Sequence, residues 1–335
     1  MIWNDSETDL RLAAEQLRQG KLVAIPTETV YGLGANALDK DSVASIFRAK
    51  GRPADNPLIV HIADVDDLET YAVPNDWAYL LAERFWPGPL TMILPKKNVI
   101  PDIVSAGLNS VALRFPAHPI AQKLIRYSGC PIAAPSANIS GKPSGTTAEH
   151  VLHDFKDAIA GVVDGGRCAC GLESTVVSLL GDHPVLLRPG FITPEQIREV
   201  IPSLTVARAV EEELPKDEKI LSPGLAHKHY APNAETVGLI GDAKSVSEYI
   251  CSQTKDPCAV MCFTGEEMYF EGNIVLSYGH RGNAEEQGEK LFDVLRQLDE
   301  MKVERIFINA EYNDGIGLAV YNRLLRSCGF QMIRV

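Results

Sequence analysis

The chain reads as two α/β (α+β) domains in series, on three observations. Its 335 residues exceed what a single hydrophobic core usually supports. Short apolar runs of strand type alternate with segments of helical period through residue 205. The alternation restarts at Glu235, after a charged stretch, Val-Glu-Glu-Glu-Leu-Pro-Lys-Asp-Glu-Lys, that begins a connection. The expected division is a larger domain over 1–205, a linker over 206–234 and a smaller domain over 235–335.

In the first part, helical spacing marks residues 10–19, 42–49, 77–85, 120–127 and 147–155, and strand-like runs occupy 22–25, 58–62, 90–94, 111–115, 176–180 and 185–187. In the second, 236–240, 259–263, 274–276 and 305–309 read as strands. Helices are expected near 245–251, 284–301 and 317–326, which gives a small, open, Rossmann-like α/β layout. Gly238-Leu-Ile-Gly241 closes the first of these strands but lacks the full dinucleotide fingerprint, so no nucleotide site is expected there.

Composition removes several function classes. The net charge is −12, with 18 basic and 23 acidic residues through Thr205 and 14 and 21 beyond it, so neither part is a basic nucleic-acid module. Direct tRNA binding is expected to be weak or absent. No apolar run reaches the roughly 18 residues of a membrane span, and MIWNDSETD lacks the regions of a secretion signal, which points to the cytoplasm. The seven cysteines are scattered without the paired spacing of a structural zinc site and read as reduced thiols, with no metal site of the protein's own.

Chemistry concentrates in three loops. Lys50-Gly-Arg-Pro-Ala-Asp-Asn-Pro-Leu58 follows a helix whose Asp-Lys-Asp-Ser opening suits a cap, so Lys50 and Arg52 are expected just past a helix end, with Pro53 and Pro57 holding the loop extended. A point-charge ammonium beside a forked guanidinium suits the oxygens of one triphosphate. Upstream, Ile25-Pro-Thr-Glu-Thr-Val-Tyr-Gly-Leu-Gly-Ala35 puts hydroxyls, a carboxylate and glycines at the end of a strand. Downstream, the Ser/Asn/Gly-rich run 131–145 leads into a helix expected to start near Thr146 or Thr147, and a helix amino end favours anions.

PTETVYGLGA, KGRPADNPLIVHI, FWPGPLT, VALRFP, APSANISGKPSG, ESTVV and LLRPG occur in the order seen in the YrdC-like family, and SPGLAHKHYAP at 222–232 is similar to the linker of its two-domain form. This resemblance implies a large, twisted, mixed sheet with surrounding helices. It also implies a nucleotidyltransferase joining L-threonine, bicarbonate or CO2, and ATP with Mg2+ into threonylcarbamoyl-AMP and pyrophosphate. The product would pass to a separate tRNA threonylcarbamoyl transferase complex, for modification beside the anticodon. Carried over residue by residue, Thr29, His61, Arg114, Ala134 and Ser174 would surround threonine. Lys50, Arg52, Asn56, Ser110, Ser136, Ser144, Arg188 and Tyr230 would face ATP, Lys50 and Arg52 acting on the phosphates during catalysis. The linker is implied to lie over the ATP pocket and gate it. Here Leu225-Ala226-His227 stands where the family form has Met-Lys-Tyr, which leaves the contact from His227 open.

Each residue also has a plainer role. His61 fits a packed core histidine, Arg114 an internal salt-bridge partner, Glu173 a solvated edge charge, and Trp86-Pro-Gly-Pro-Leu90 a structural turn with an aromatic anchor. Two other functions compete with synthesis. A carbamoyl-transfer maturation protein is disfavoured by the lack of cysteine-rich zinc segments, and a non-catalytic RNA-binding or translation-associated factor by the acidic balance.

Overall fold

The structure, a computed structural model, describes residues 1–213 and 230–335, and the alternation of the sequence forms two sheets. The larger has eleven strands, numbered in chain order β1 (Ile2–Trp3), β2 (Val23–Ile25), β3 (Gly32–Asn36), β4 (Ile59–His61), β5 (Leu90–Pro95), β6 (Ser110–Arg114), β7 (Ile132–Ala133), β8 (Gly161–Val163), β9 (Thr175–Ser178), β10 (Val185–Arg188) and β11 (Thr205–Val206). Their spatial order is β1-β8-β2-β3-β7-β4-β6-β5-β9-β10-β11, with parallel and antiparallel pairs mixed. The smaller sheet joins β12 (Glu235–Ile240), β13 (Ala259–Cys262), β14 (Ile274–Ser277), β15 (Arg305–Ala310) and β16 (Met332–Arg334) in the order β14-β13-β15-β12-β16, every pair parallel.

The helices follow local rules. Asp39 caps the helix Lys40–Lys50 by accepting from Asp41 N at 3.0 Å, and Gly51 ends it in the left-handed region, φ 61°. Lys50 is therefore the helix's last residue rather than a loop residue beyond it. Thr147 caps Ala148–Phe155 through His150 N, as the hydroxyl-rich approach predicts. The Trp86 turn takes its structural role: the indole is buried and donates to Leu90 O at 2.7 Å.

Five strands fall outside the predicted set: β1, β7, β8, β11 and β16 run two or three residues, too short to show a period. A sixth, β3, lies inside the Gly-Leu-Gly segment that reads as a loop. Its glycines answer crowding instead, since a Cβ on Gly32 would meet Ala134 Cβ at 3.1 Å and one on Gly34 would meet Ile132 Cγ2 at 2.9 Å. Gly238 and Gly241 serve packing in the same way, against Met332 of the last strand and Val335 just after it.

The two sheets meet through buried side chains. Val30 and Leu172 from the larger unit join the core of the smaller one, which includes Phe292 and Leu295, while Leu318 from the helix Ile316–Ser327 joins the core of the larger. The backbones come close at Gly171, where an added Cβ would lie 2.4 Å from Gly288 O. Among the described residues no helix is long and apolar enough to cross a membrane. The linker motif 222–232 falls outside the described residues up to position 229, and with it His227 and the expected gate.

Candidate active site

Backbone pairing places polar residues in one row across five adjoining strands. His61 on β4 is opposite Arg114 on β6, Arg114 opposite Thr91 on β5, Thr91 opposite the apolar Val176 on β9, and Val176 opposite Arg188 on β10, where the register shifts between Leu186 and Arg188. Residues opposite one another in a ladder share a face. A cleft lies along this face, walled also by the loops carrying Thr27 to Tyr31, Arg52 and Ala134 to Ser136, and closed by Glu173 and Tyr230.

At one end stands Arg114, 4% exposed. It donates through Nη1 to Thr29 Oγ1 at 2.8 Å. Thr27 spends its hydroxyl proton on Val30 O, 2.6 Å away, so the Thr27–Thr29 contact of 2.8 Å takes its proton from Thr29. The hydroxyl directions are thus fixed in a chain from guanidinium to backbone. Nη2 lies 2.7 Å from Glu28 Oε1, an ion pair without hydrogen-bond alignment, so this Nη2 keeps donor capacity. Burial pushes the Glu28 carboxyl up most strongly, but the Arg114 guanidinium and the backbone N–H groups of Glu28 and Ala117 together bring it below its usual range, hence ionised. Both readings of Arg114 in the sequence meet here, as a salt-bridge partner and as a fork presented to the cleft. Ala134 adds only its methyl and backbone, its N–H donating to Ile59 O at 2.9 Å.

His61 is neutral. Burial and then the Arg114 charge push its pKa down to about 3, against the ordinary value near 6.5. The unfolded chain therefore takes up a proton that the folded one refuses. Stability from this group is complete above the unfolded pKa and is lost as pH falls from about 6.5 toward 3, by at most about 1.4 kcal/mol per pH unit. Urea unfolding between about pH 7 and 5 should show this loss, and His61→Asn should flatten it. An equal slope in both proteins would exclude His61 as the source.

At the other end, Arg52 and Arg188 line the cleft beside Tyr230. Arg52 Nη2 donates to Asn56 O at 3.4 Å and Pro57 O at 3.2 Å, while its buried Nε has no hydrogen-bond partner. Burial lowers its pKa to about 10, which leaves it cationic near neutrality. Arg188 donates to Ser174 O at 3.0 Å and Ser174 Oγ at 3.2 Å, and that hydroxyl also contacts Thr91 Oγ1 at 2.8 Å. Ser174 thus sits between the two ends, just before β9 rather than within it. Ser136 Oγ donates to Asn138 Oδ1 at 2.5 Å. Tyr230 is buried with φ 63°, its ring 5.1 Å from that of Phe292, so the smaller unit supplies its packing.

Four of the expected residues lie outside the cleft lining. Lys50, 1% exposed, points behind the wall, where Nζ donates to Ser136 O at 2.5 Å and to Asn138 O. Burial, then repulsion from Arg52, pulls its pKa far below the usual lysine value. Its observed work is to fasten the 136–138 loop, which departs from the picture of two cations reaching the phosphates side by side. Ser144 donates to Glu173 Oε1 at 2.5 Å. Asn56 lends its carbonyl to Arg52. Ser110 shares the Arg114 face of β6 four residues earlier, roughly 13 Å along the strand.

Glu173 corrects the reading of a solvated edge charge: it is 6% exposed and bound by Arg323 from the smaller unit, Nε to Oε2 at 2.9 Å. Burial raises its pKa, but Arg323, Arg188 and the Ser144 hydrogen bond together bring it below the usual value. Sequence reasoning passed over Glu28, Asn138 and Arg323. Glu28 and Asn138 stand inside quoted motifs, and their neighbours were the available signal. Arg323 lies on an ordinary amphipathic helix some 150 residues away in the chain, with no local mark.

The arrangement defines a two-unit α/β protein with a cation-lined cleft at the seam. Residues 15–190 match the family profile described as Telomere recombination, that of Sua5, YciO and YrdC proteins, and residues 192–329 match the one described as Threonylcarbamoyl-AMP synthase, C-terminal domain. The chain belongs to the two-domain Sua5/YrdC family. It is 47% identical over 333 residues to the threonylcarbamoyl-AMP synthase of Bacillus subtilis, covering 98% of this chain and 95% of that one. It is 46% identical to the synthase of Pyrococcus abyssi over 98% and 96% of the two chains. The crystal structure of P. abyssi Sua5 complexed with L-threonine superposes with a TM-score of 0.93 at 44% identity, covering 100% of this chain and 99% of that one.

Proposed function

We propose that the protein synthesises threonylcarbamoyl-AMP, releasing pyrophosphate from ATP after L-threonine has captured CO2 or bicarbonate. The observation that carries this reading is Arg114 opposite His61 at one end of a cleft whose other end holds Arg52 and Arg188, in a chain related along its full length to enzymes of that name. Threonine's carboxylate would meet the Nη2 edge of Arg114, with Thr29, neutral His61, Ala134 and Ser174 around it. Its amine, carbamylated by CO2 with loss of a proton, would present a carbamate oxygen to the α-phosphorus. The P–O bond to pyrophosphate breaks as the new one forms, and the departing charge would fall toward Arg52 and Arg188. Ser110, Asn56, Ser136, Ser144 and Tyr230 would frame the nucleotide, and Lys50 would hold the Ser136 loop in place. The chemistry asked of these residues is alignment and neutralisation, with no covalent enzyme intermediate.

Mg2+ is proposed to arrive with ATP as the counter-ion of its phosphates. Glu173 in the cleft wall is engaged by Arg323 and Glu28, behind Arg114, by that arginine, and the described residues contain no cluster of three or more His, Cys, Asp or Glu side chains suited to a metal. The product would be consumed by a tRNA threonylcarbamoyl transferase complex, which places the work in the cytoplasm.

The test is pyrophosphate release with each substrate left out in turn, and mass spectrometry of the nucleotide product. Release that requires ATP, threonine and bicarbonate together, with an AMP-linked threonylcarbamoyl product, is the expected result. Release indifferent to threonine would overturn the reading, and salt-sensitive tRNA binding without turnover would favour the RNA-binding alternative.

A further inference from the structure

Arg323 belongs to the helix Ile316–Ser327 of the smaller unit, yet its guanidinium ends in the wall of the cleft, 0% exposed. Each nitrogen is used. Nε donates to Glu173 Oε2 at 2.9 Å, Nη2 to Glu173 O at 3.2 Å, and Nη1 to Pro189 O at 2.9 Å and Asn322 Oδ1 at 3.0 Å. Glu173 is bonded to Ser174 in the chain and Pro189 to Arg188, so one side chain ties together the residues beside both. The remaining Glu173 oxygen receives the Ser144 hydroxyl at 2.5 Å. The spacing there is tight, since a Cβ on Gly190 would lie 2.5 Å from Thr175 N and 2.9 Å from Glu173 O.

We propose that Arg323 is a positioning residue for the nucleotide end of the site, so that the second domain supplies part of the ATP pocket's framework through Glu173. The inference rests on the synthase reading above and extends it to a residue that touches neither substrate. The physical reason is competition for charge. Glu173 lies within the field of both Arg323 and Arg188, since both charges act to hold its carboxyl below the usual range. With Arg323 in place, the carboxylate's donors come from behind the wall. Without it, the buried carboxylate is left to the other cations in its field, and a turn toward Arg188 would draw that guanidinium off the line of Ser174.

Simple docking is the rival role, and the interface has other pairs to gauge it: Arg296 with Asp154 at 2.7 Å, and Asp293 with His150 at 3.2 Å and Arg167 at 3.4 Å. Steady-state pyrophosphate release by the full chain separates them. Arg323→Ala is expected to raise KM for ATP by at least about tenfold while KM for threonine stays within about twofold, and Arg323→Lys, which returns one charge to Glu173, should recover part of the loss. Asp293→Ala, which loosens the interface away from the cleft, should leave both KM values within about twofold. Should Arg323→Ala fail to fold, Arg323→Gln is expected to show the same selective ATP defect, because it keeps part of the side chain's reach and removes the charge, and adding Glu173→Gln, which removes the carboxylate that would draw Arg188, should recover part of the loss. Equal changes in both KM values, or an ATP defect in Asp293→Ala as large as that in Arg323→Ala, would overturn the inference alone. An unsubstituted chain that releases no pyrophosphate would overturn the synthase reading and the inference with it.

Discussion

Arg114→Ala is expected to lower kcat/KM for threonine by about two to three orders of magnitude, with a much smaller change in KM for ATP. Two losses add. The substrate carboxylate forfeits its forked partner, and Glu28, now buried beside no cation, must be protonated or drag water inward. Truncating one member of a buried charge pair costs about 3–5 kcal/mol, so the same substitution should reduce stability measurably. Arg114→Lys separates these effects: a lysine keeps a charge near Glu28 but cannot present two parallel donors, so stability should return further than threonine use does. Initial rates across threonine concentrations, read beside urea unfolding of each variant, provide the check. If ATP use suffers while threonine use is spared, Arg114 does not hold the amino acid.

Arg52→Ala should reduce kcat for pyrophosphate release by about 100-fold to 1,000-fold, the scale set by removing a preorganised donor from developing charge. Stability should change little, because Arg52 spends its observed bonds only on the carbonyls of its own loop. Lys50→Ala should slow the reaction too, but by a different route. It cuts the ties to Ser136 O and Asn138 O, so it should also destabilise the fold and loosen the loop that carries Ser136. Turnover and unfolding measured on both variants distinguish a residue at the phosphates from one behind them. Near-normal turnover in both would reject this end of the cleft as the place where charge develops.

Much of the site is legible in the chain because its residues arrive in short segments, each with a local reason to be polar. The 50–58 loop, the threonines of 27–29 and the 134–145 run fall where strands and helices end, and the structure brings them to one cleft. Periodicity located the longer strands β5, β6 and β12 for the same reason, namely a period visible over several residues. It failed on β3, where glycines required by close neighbours look like a turn. It also failed on the very short strands β1, β7, β8, β11 and β16, which exist only because a partner is present. Direction was illegible as well: nothing local distinguishes Lys50, pointing behind the wall, from Arg52, pointing into the cleft two residues later. Long-range pairing was hidden most completely. Glu173 is bland until Arg323 stands beside it, and the separation of 150 positions leaves no pattern to read.

The unbroken register from His61 through Arg114 to Thr91, set against the shift between Leu186 and Arg188, gives the two ends of the cleft unequal freedom to drift. Positions strung on a hydrogen-bonded lattice cannot shift by a fraction of a residue. A slip on any one strand would turn its functional side chain to the opposite surface. The amino-acid end is therefore held to a geometry that descendants of this chain keep or lose whole. The nucleotide end hangs on loops, on Arg188 at the far side of that shift and on a guanidinium lent by a neighbouring module, and can be retuned a little at a time.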